Sequence, residues 1–216
     1  MSKVVFDITM SLDGFIAGPN DSVGNPLGDG GERLHQWVYG LDSWRERQGE
    51  DGGERNRDAE IVEEAFRNVG ATIMGRRMFS NGEGPWGDVP FEGHWGANPP
   101  YHVPVFVLTH HARVPLPMDG GTTFTFVTGG IESALQQAKA AAGDKDVSLA
   151  GGAEIIRQYL RAGLVDELQM HIAPVLLGGG NRLFDHIDSG HIELESIRTI
   201  ESSSVTHLKY RVVKEE

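Results

Sequence analysis

Val147-Ser148-Leu149-Ala150-Gly151-Gly152-Ala153-Glu154 decides the fold. A short apolar strand (147–150) runs into a glycine pair, and residues 153–162 continue with Ile155, Ile156, Tyr159 and Leu160 on one helical face. Strand, tight turn and helix in immediate succession are the grammar of an α/β crossover. The free N–H groups of such a helix start, with the positive end of its dipole, suit a pyrophosphate, and glycines let a ligand approach the backbone. A glycine pair there is equally the mark of a plain tight turn.

Working outward, the same grammar recurs at Ile73-Met74-Gly75-Arg76-Arg77-Met78-Phe79, after a helix at 58–68 and a strand at 71–74. Strands are expected at 103–109 and 123–128, and an Ala-rich helix at 131–142. Strands separated by helices of this length imply right-handed crossovers and a largely parallel sheet covered on both sides. Residues 4–10 are apolar at nearly every position, which predicts a central strand buried on both faces. Segments 167–175, 192–199 and 205–213 read as strands with no helix after Phe184, so the C-terminal strands are expected to be antiparallel. The predicted architecture is one α/β domain over 1–216 with a mixed, mainly parallel sheet and a long insertion at about 19–57. Inside that insertion Trp37, Val38, Leu41 and Trp44 recur at helical spacing and predict a short amphipathic helix, either a cover for the sheet or a lid over a pocket.

Composition narrows the function. There is no cysteine, which excludes disulfides, thiolate metal sites and cysteine nucleophiles. A formal charge of −12 opposes binding to nucleic acid and to anionic lipid, so any anionic ligand needs a local basic patch. The apolar runs at 103–108 and 172–177 are too short to cross a bilayer, and Met1 to Val5 enters a strand without a signal-peptide pattern. A cytoplasmic location is expected.

Four turns are candidates for chemistry. Two adjacent arginines, Arg76 and Arg77, occupy a first helical turn, where the helix dipole disfavours them, and their guanidinium groups suit phosphate oxygens. Two solvated arginines on an acidic surface are the alternative. Phe106-Val107-Leu108-Thr109-His110-His111-Ala112-Arg113 ends a buried strand in polar residues, where ligands of open α/β sheets collect. His110 and His111 point in opposite directions as neighbours at a strand end, and no metal site is expected. Met10-Ser11-Leu12-Asp13-Gly14-Phe15-Ile16-Ala17 closes the first strand. Asp13-Gly14 is either a turn or a carboxyl group whose sheltering beside a bound ring raises its pKa, so that it supplies or orients the proton completing a hydride transfer. Gly178-Gly179-Gly180-Asn181-Arg182 reads as a structural reversal.

In this order the segments resemble the superfamily that contains dihydrofolate reductase and the C-terminal reductase domain of the bifunctional riboflavin-biosynthesis deaminase/reductase. The resemblance rests on Ser11-Leu12-Asp13-Gly14, Met74-Gly75-Arg76, Leu108-Thr109, Gly151-Gly152-Ala153, and Gly163-Leu164-Val165-Asp166-Glu167 leading to Leu177-Gly178-Gly179-Gly180. It implies a dihydrofolate-reductase-like three-layer sandwich with NADPH across the carboxyl edge of the sheet. Gly151, Gly152, Ala153, Glu154 and Ile155 would then line the pyrophosphate. Gly75, Arg76 and Arg77 would hold phosphates at the adenosine end, Thr109 and His110 would flank the 2′-phosphate, and Thr9, Ile16 and Ala17 would orient the nicotinamide near Asp13. The resemblance also implies a small heterocyclic substrate, ribosylaminopyrimidine or pterin-like, and a homodimer joined through the C-terminal strands. The Pro-Trp segment and acidic helix of true dihydrofolate reductases are replaced here by residues 18–57, which points toward the riboflavin-type branch. No deaminase signature accompanies it. A non-catalytic NADPH-binding protein of the same fold, or a true dihydrofolate reductase, are the alternatives.

Overall fold

The structure is a computed structural model, which describes residues 2–82, 84–87, 91–187 and 191–214. Its centre is β1 (Val4–Ser11), whose even-numbered side chains Val4, Phe6 and Ile8 are buried in the main core. To one side lie β7 (Asp146–Gly151), β3 (Val69–Gly75), β4 (Pro104–Leu108) and β6 (Thr123–Val127), each parallel to its neighbour. The two-residue β5 (Leu116–Pro117) closes that edge antiparallel to β6. On the other side β8 (Glu167–Ala173) is parallel to β1, and β11 (Thr206–Val212) and β10 (Leu194–Glu201) follow antiparallel. The result is a nine-stranded, mixed, mainly parallel sheet in the order β10-β11-β8-β1-β7-β3-β4-β6-β5.

Helices on both faces make the three layers. The first layer, α5 (Gly130–Ala142) and α6 (Ala153–Arg161), sends Ala134, Leu135, Ala138, Ile156, Tyr159 and Leu160 into the core. Full burial of such aliphatic and aromatic side chains stabilises by about 1.5–3 kcal/mol each before entropy is counted. On the opposite face, α3 (Arg57–Arg67) starts where the Asn56 side chain accepts from the Ala59 N–H, a cap that fixes its first turn. Here the structure corrects the sequence reading. Trp37 to Trp44 is not one helix: Gly40 separates α1 (Gln36–Tyr39) from α2 (Asp42–Arg47), after a 3-10 turn at Gly31–Leu34. Val38 and Leu41 still pack on Ala59 and Val62 of α3, and Trp37 lies against His171 and His207 of the sheet.

Two further departures concern β1 and the chain reversal. Position 7, 9 and 11 of β1 are polar, and the face they share is not an oily one. The reversal after Gly180 is also more than a turn. Asn181–Arg182 (β9) pairs antiparallel with Phe15–Ala17 (β2) as a small second sheet. Strands of two and three residues carry no readable alternation, so only coordinates reveal them.

Candidate functional site

The two glycine turns are neighbours. Adjacent strands β3 and β7 bring Met74 opposite Gly151, and a Cβ placed on Gly75 would stand 2.8 Å from Ile155 Cγ1 and 3.7 Å from the Gly152 nitrogen. Gly75 is therefore the residue that lets α6 approach β3. Gly151 adopts φ +125°, a region that side chains avoid, and its peptide bond to Gly152 is cis. Nothing lies within 4 Å of a Cβ built on Gly152, so the cleft in front of it is open. Gly152 is the N-cap of α6 and contributes no side chain to the first turn, which leaves the leading N–H groups pointing into that space. Glu154 belongs to this turn only through its backbone. Its carboxylate accepts from Gln158 and Arg161 and pairs with Arg157, which turns the negative charge along the helix and away from the cleft.

Arginines gather one strand further on. The helix after Gly75, α4 (Arg76–Ser80), has only five residues, so the dipole that Arg76 and Arg77 oppose is small and the violation costs little. Arg77 pairs with Asp21 at 3.1 Å, which moors the start of the insertion to α4. Arg76 turns the other way. Its guanidinium carbon stands 3.1 Å from the Trp86 ring centre, Nε donates to the Gly82 carbonyl at 3.3 Å, and Nη1 is buried without a partner. Arg113, after the β4 strand end, lies 4.8 Å from the same ring and donates to the Phe91 carbonyl at 2.7 Å. Burial, and then the charge of Arg113, push the Arg76 pKa down, and burial does the same to Arg113. The charge of Glu92 opposes the burial of Arg113, but among the described residues no carboxylate forms an ion pair with either arginine. Two desolvated cations with a donor left over form a site for an anion.

Sequence reasoning missed Arg113. It follows the Thr109-His110 strand end without a motif of its own, and its nearness to Arg76 appears only when β4 and β3 pair. Thr109 directly follows β4, its nitrogen held by the Val127 carbonyl and its hydroxyl accepting from the His111 N–H at 3.1 Å. His110 is exposed beside it.

Asp13 stands in a turn dense with hydrogen-bond donors. Ser11 Oγ donates to Asp13 Oδ1 at 2.6 Å, and the backbone nitrogens of Leu177 and Gly178 donate to the two carboxylate oxygens at 3.1 and 2.7 Å. The Ser11 hydroxyl first, and then those backbone donors, hold the Asp13 pKa down at about 2, against the rise foreseen for a sheltered acid. Such a carboxylate stays ionised and has no proton to give at neutral pH. It ties the β1–β2 turn to the glycine-rich reversal, on which β9 positions Ile16 and Ala17 through β2. Thr9, two residues before the end of β1, accepts from the Trp37 indole nitrogen at 3.3 Å.

Two cavities lie outside the cleft. One, of about 430 Å³ between α2 and α3, is lined by the acidic Asp42, Glu46, Glu60 and Glu63 together with Arg47 and Arg55. The second, of about 260 Å³, lies against Trp37 and Pro174. No helix among the described residues is long and apolar enough to cross a membrane, and no group of three or more His, Asp or Glu among them is placed to hold a metal ion.

Known proteins share the fold that carries these residues. A family model described as the RibD C-terminal domain matches residues 2–206. The chain is similar to an uncharacterised protein, YyaP, of Bacillus subtilis (strain 168), at 39% identity over 67 residues, a match that covers 31% of this chain and 35% of that protein. In structure it resembles a putative riboflavin biosynthesis protein from Shewanella sp. PV-4, with a TM-score of 0.62, 22% identity, and coverage of 98% and 99% of the two chains. It also resembles a diaminohydroxyphosphoribosylaminopyrimidine deaminase/5-amino-6-(5-phosphoribosylamino)uracil reductase from Thermotoga maritima, with a TM-score of 0.57 and 14% identity. There the match covers 98% of this chain and 57% of that one. A dihydrofolate reductase from Enterococcus faecalis, complexed with NADP(H), aligns at a TM-score of 0.50 with 12% identity over 98% and 97% of the chains. The fold is the dihydrofolate-reductase-like three-layer sandwich.

Proposed function

Because the chain belongs to the RibD C-terminal domain family, an oxidoreductase family of the dihydrofolate-reductase-like kind, we propose that it uses NADPH to reduce a C=N or C=O bond of a small heterocycle. A ribosylaminopyrimidine or a related pyrimidine or pterin is the substrate class. One observation carries this: two glycine turns stand side by side with open space before Gly152, and Arg76 and Arg113 share the Trp86 ring beyond the neighbouring strands, neither in an ion pair with a carboxylate among the described residues. An acidic protein needs such a local patch to accept a dinucleotide.

In this scheme the backbone of Gly151, Gly152, Ala153, Glu154 and Ile155 holds the pyrophosphate, and Gly75, by letting α6 close on β3, sets that turn beside the adenosine-end phosphates. Arg76 and Arg113 meet the 2′-phosphate next to Thr109 and His110, and Arg77 adds charge if Asp21 yields it. Bound NADPH supplies the hydride; the protein's share is alignment, exclusion of water and a proton path. Thr9, Ile16 and Ala17 set the nicotinamide plane, while Asp13 fixes the turn that carries them. The proton that completes reduction then comes from water or substrate, because Asp13 does not release one. That same observation keeps a second function in play, an NADPH-binding protein without turnover. Tryptophan fluorescence titrations with NADPH and NADH, followed by NADPH absorbance assays on a pyrimidine and pterin panel, decide between them. Tight NADPH binding with turnover supports the reductase; tight binding with no turnover on the panel supports the second function; no binding overturns both.

A further inference from the structure

The middle of the sheet holds a polar chain that the cleft does not use. Asp7 on β1, His171 on β8 and His207 on β11 share one face, and Asp58 of α3 closes the row. His171 Nε2 lies 2.7 Å from Asp7 Oδ1, His171 Nδ1 lies 2.6 Å from His207 Nδ1, and His207 Nε2 lies 3.1 Å from Asp58 Oδ1. Both imidazoles and Asp58 are buried.

A count of protons has a definite outcome. Each of the three contacts joins two atoms that both accept when unprotonated, so each needs one proton between them. Two neutral imidazoles bring two. The third contact would then set lone pair against lone pair at hydrogen-bond distance. The row therefore holds one proton in excess of two neutral rings beside two ionised carboxylates. Its position follows from the surroundings. Burial pushes the His207 pKa below the usual histidine value, the Asp58 hydrogen bond opposes this, and the charge of His171 lowers it further. The tighter carboxylate contact, 2.7 Å from His171 to Asp7 against 3.1 Å from His207 to Asp58, and the Trp37 ring centre 4.8 Å away place the extra proton at the His171 end of the row.

We propose that His171 is a buried imidazolium whose charge clamps Trp37, and through it the segment 31–39, against the sheet, making His171 the positioning residue for the Trp37 wall of the 260 Å³ cavity. The indole touches both His171 and His207, donates to Thr9, and lines that cavity with Arg33, Gln36, Pro174 and Ser204. Other charged groups face the row from each packed element. Lys209 of β11 and Arg198 of β10 bracket Glu64 of α3, Glu167 of β8 meets Lys3 and Lys209, and His35 precedes α1. Gln169 donates to Asp7 and accepts from Arg198, and Ser202 donates to Asp58, so each carboxylate has a donor besides its imidazole.

Side-chain 15N NMR of the native protein counts protonated ring nitrogens directly. Three of the four on His171 and His207 are expected at pH 7, falling to two on alkalinisation, with a coincident change in the emission that Trp37→Phe removes. His171→Gln keeps a hydrogen-bonding side chain without the charge and should abolish that transition; should it fail to fold, the NMR count on the native chain decides alone. Two protonated nitrogens at pH 7, or loss of the third proton with indole emission unchanged, overturns the proposal. None of these readouts needs turnover, so they stand apart from the reductase assignment.

Discussion

Asp13 shows how far a single carboxylate can depart from the role its neighbours in sequence suggest. Its folded pKa lies below the unfolded value near 3.9, so its stabilising contribution is present above about pH 4 and disappears as pH falls toward 2. Acid unfolding followed by circular dichroism should accordingly be less steep in that window for Asp13→Asn, and the pH–rate profile of native protein should show no neutral inflection from this group. Arginine substitutions read the other end of the cleft. Loss of a hydrogen bond to a charged group costs about 1.5–3 kcal/mol, so Arg113→Ala and Arg76→Ala should each weaken NADPH roughly tenfold or more and leave NADH unchanged in a fluorescence titration. Equal losses for both cofactors would place the 2′-phosphate elsewhere. Arg76 was legible because it breaks a helix-end preference beside a glycine. Arg113, His171 and His207 were not, since their partners are brought in by strand pairing over long sequence separations. A trace did exist: Asp7, Thr9 and Ser11 on β1, and Glu167, Gln169 and His171 on β8, repeat polar residues with the period of a strand face.

Among the elements, the strand–glycine–helix units were readable because each is local and is written in consecutive residues. The β2–β9 ribbon was not, yet it is exacting. Gly180 has φ +117°, and a Cβ there would run into the Ala17 carbonyl oxygen and the Gly18 backbone. Gly179, next to it, has open space and no positive φ. Gly180→Ala should therefore lower the thermal midpoint by several degrees, at a cost of about 1–3 kcal/mol, and weaken cofactor binding, whereas Gly179→Ala should do neither. Differential scanning fluorimetry of the pair with and without NADPH is the measurement. Removing the α3 cap with Asn56→Ala should cost about 1 kcal/mol without touching the cleft. That contrast separates loss of stability from loss of site.

At the scale of the molecule, the mainly parallel sheet with antiparallel C-terminal strands follows from alternation of strands and helices, while the strand order and the covering of its second face by broken short helices do not. Gly40 and Gly49 end α1 and the turn after α2, and helical spacing alone gives no warning of such breaks. The homodimer implied by family resemblance is a proposal that sedimentation can check: Leu194→Glu with Ile197→Glu on β10, both exposed here, should shift a dimer to monomer and leave the fold intact. A native monomer would dismiss it. The two rims of the sheet differ in a way that bears on this. One finishes in two residues, the second of them Pro117, which has no amide hydrogen to offer, whereas the other is eight residues long with its outer backbone unclaimed by any described strand. A plate with one sticky rim and one blunt rim can be joined edge to edge a single time, so copies meeting there would stop at two and never lengthen into a fibre.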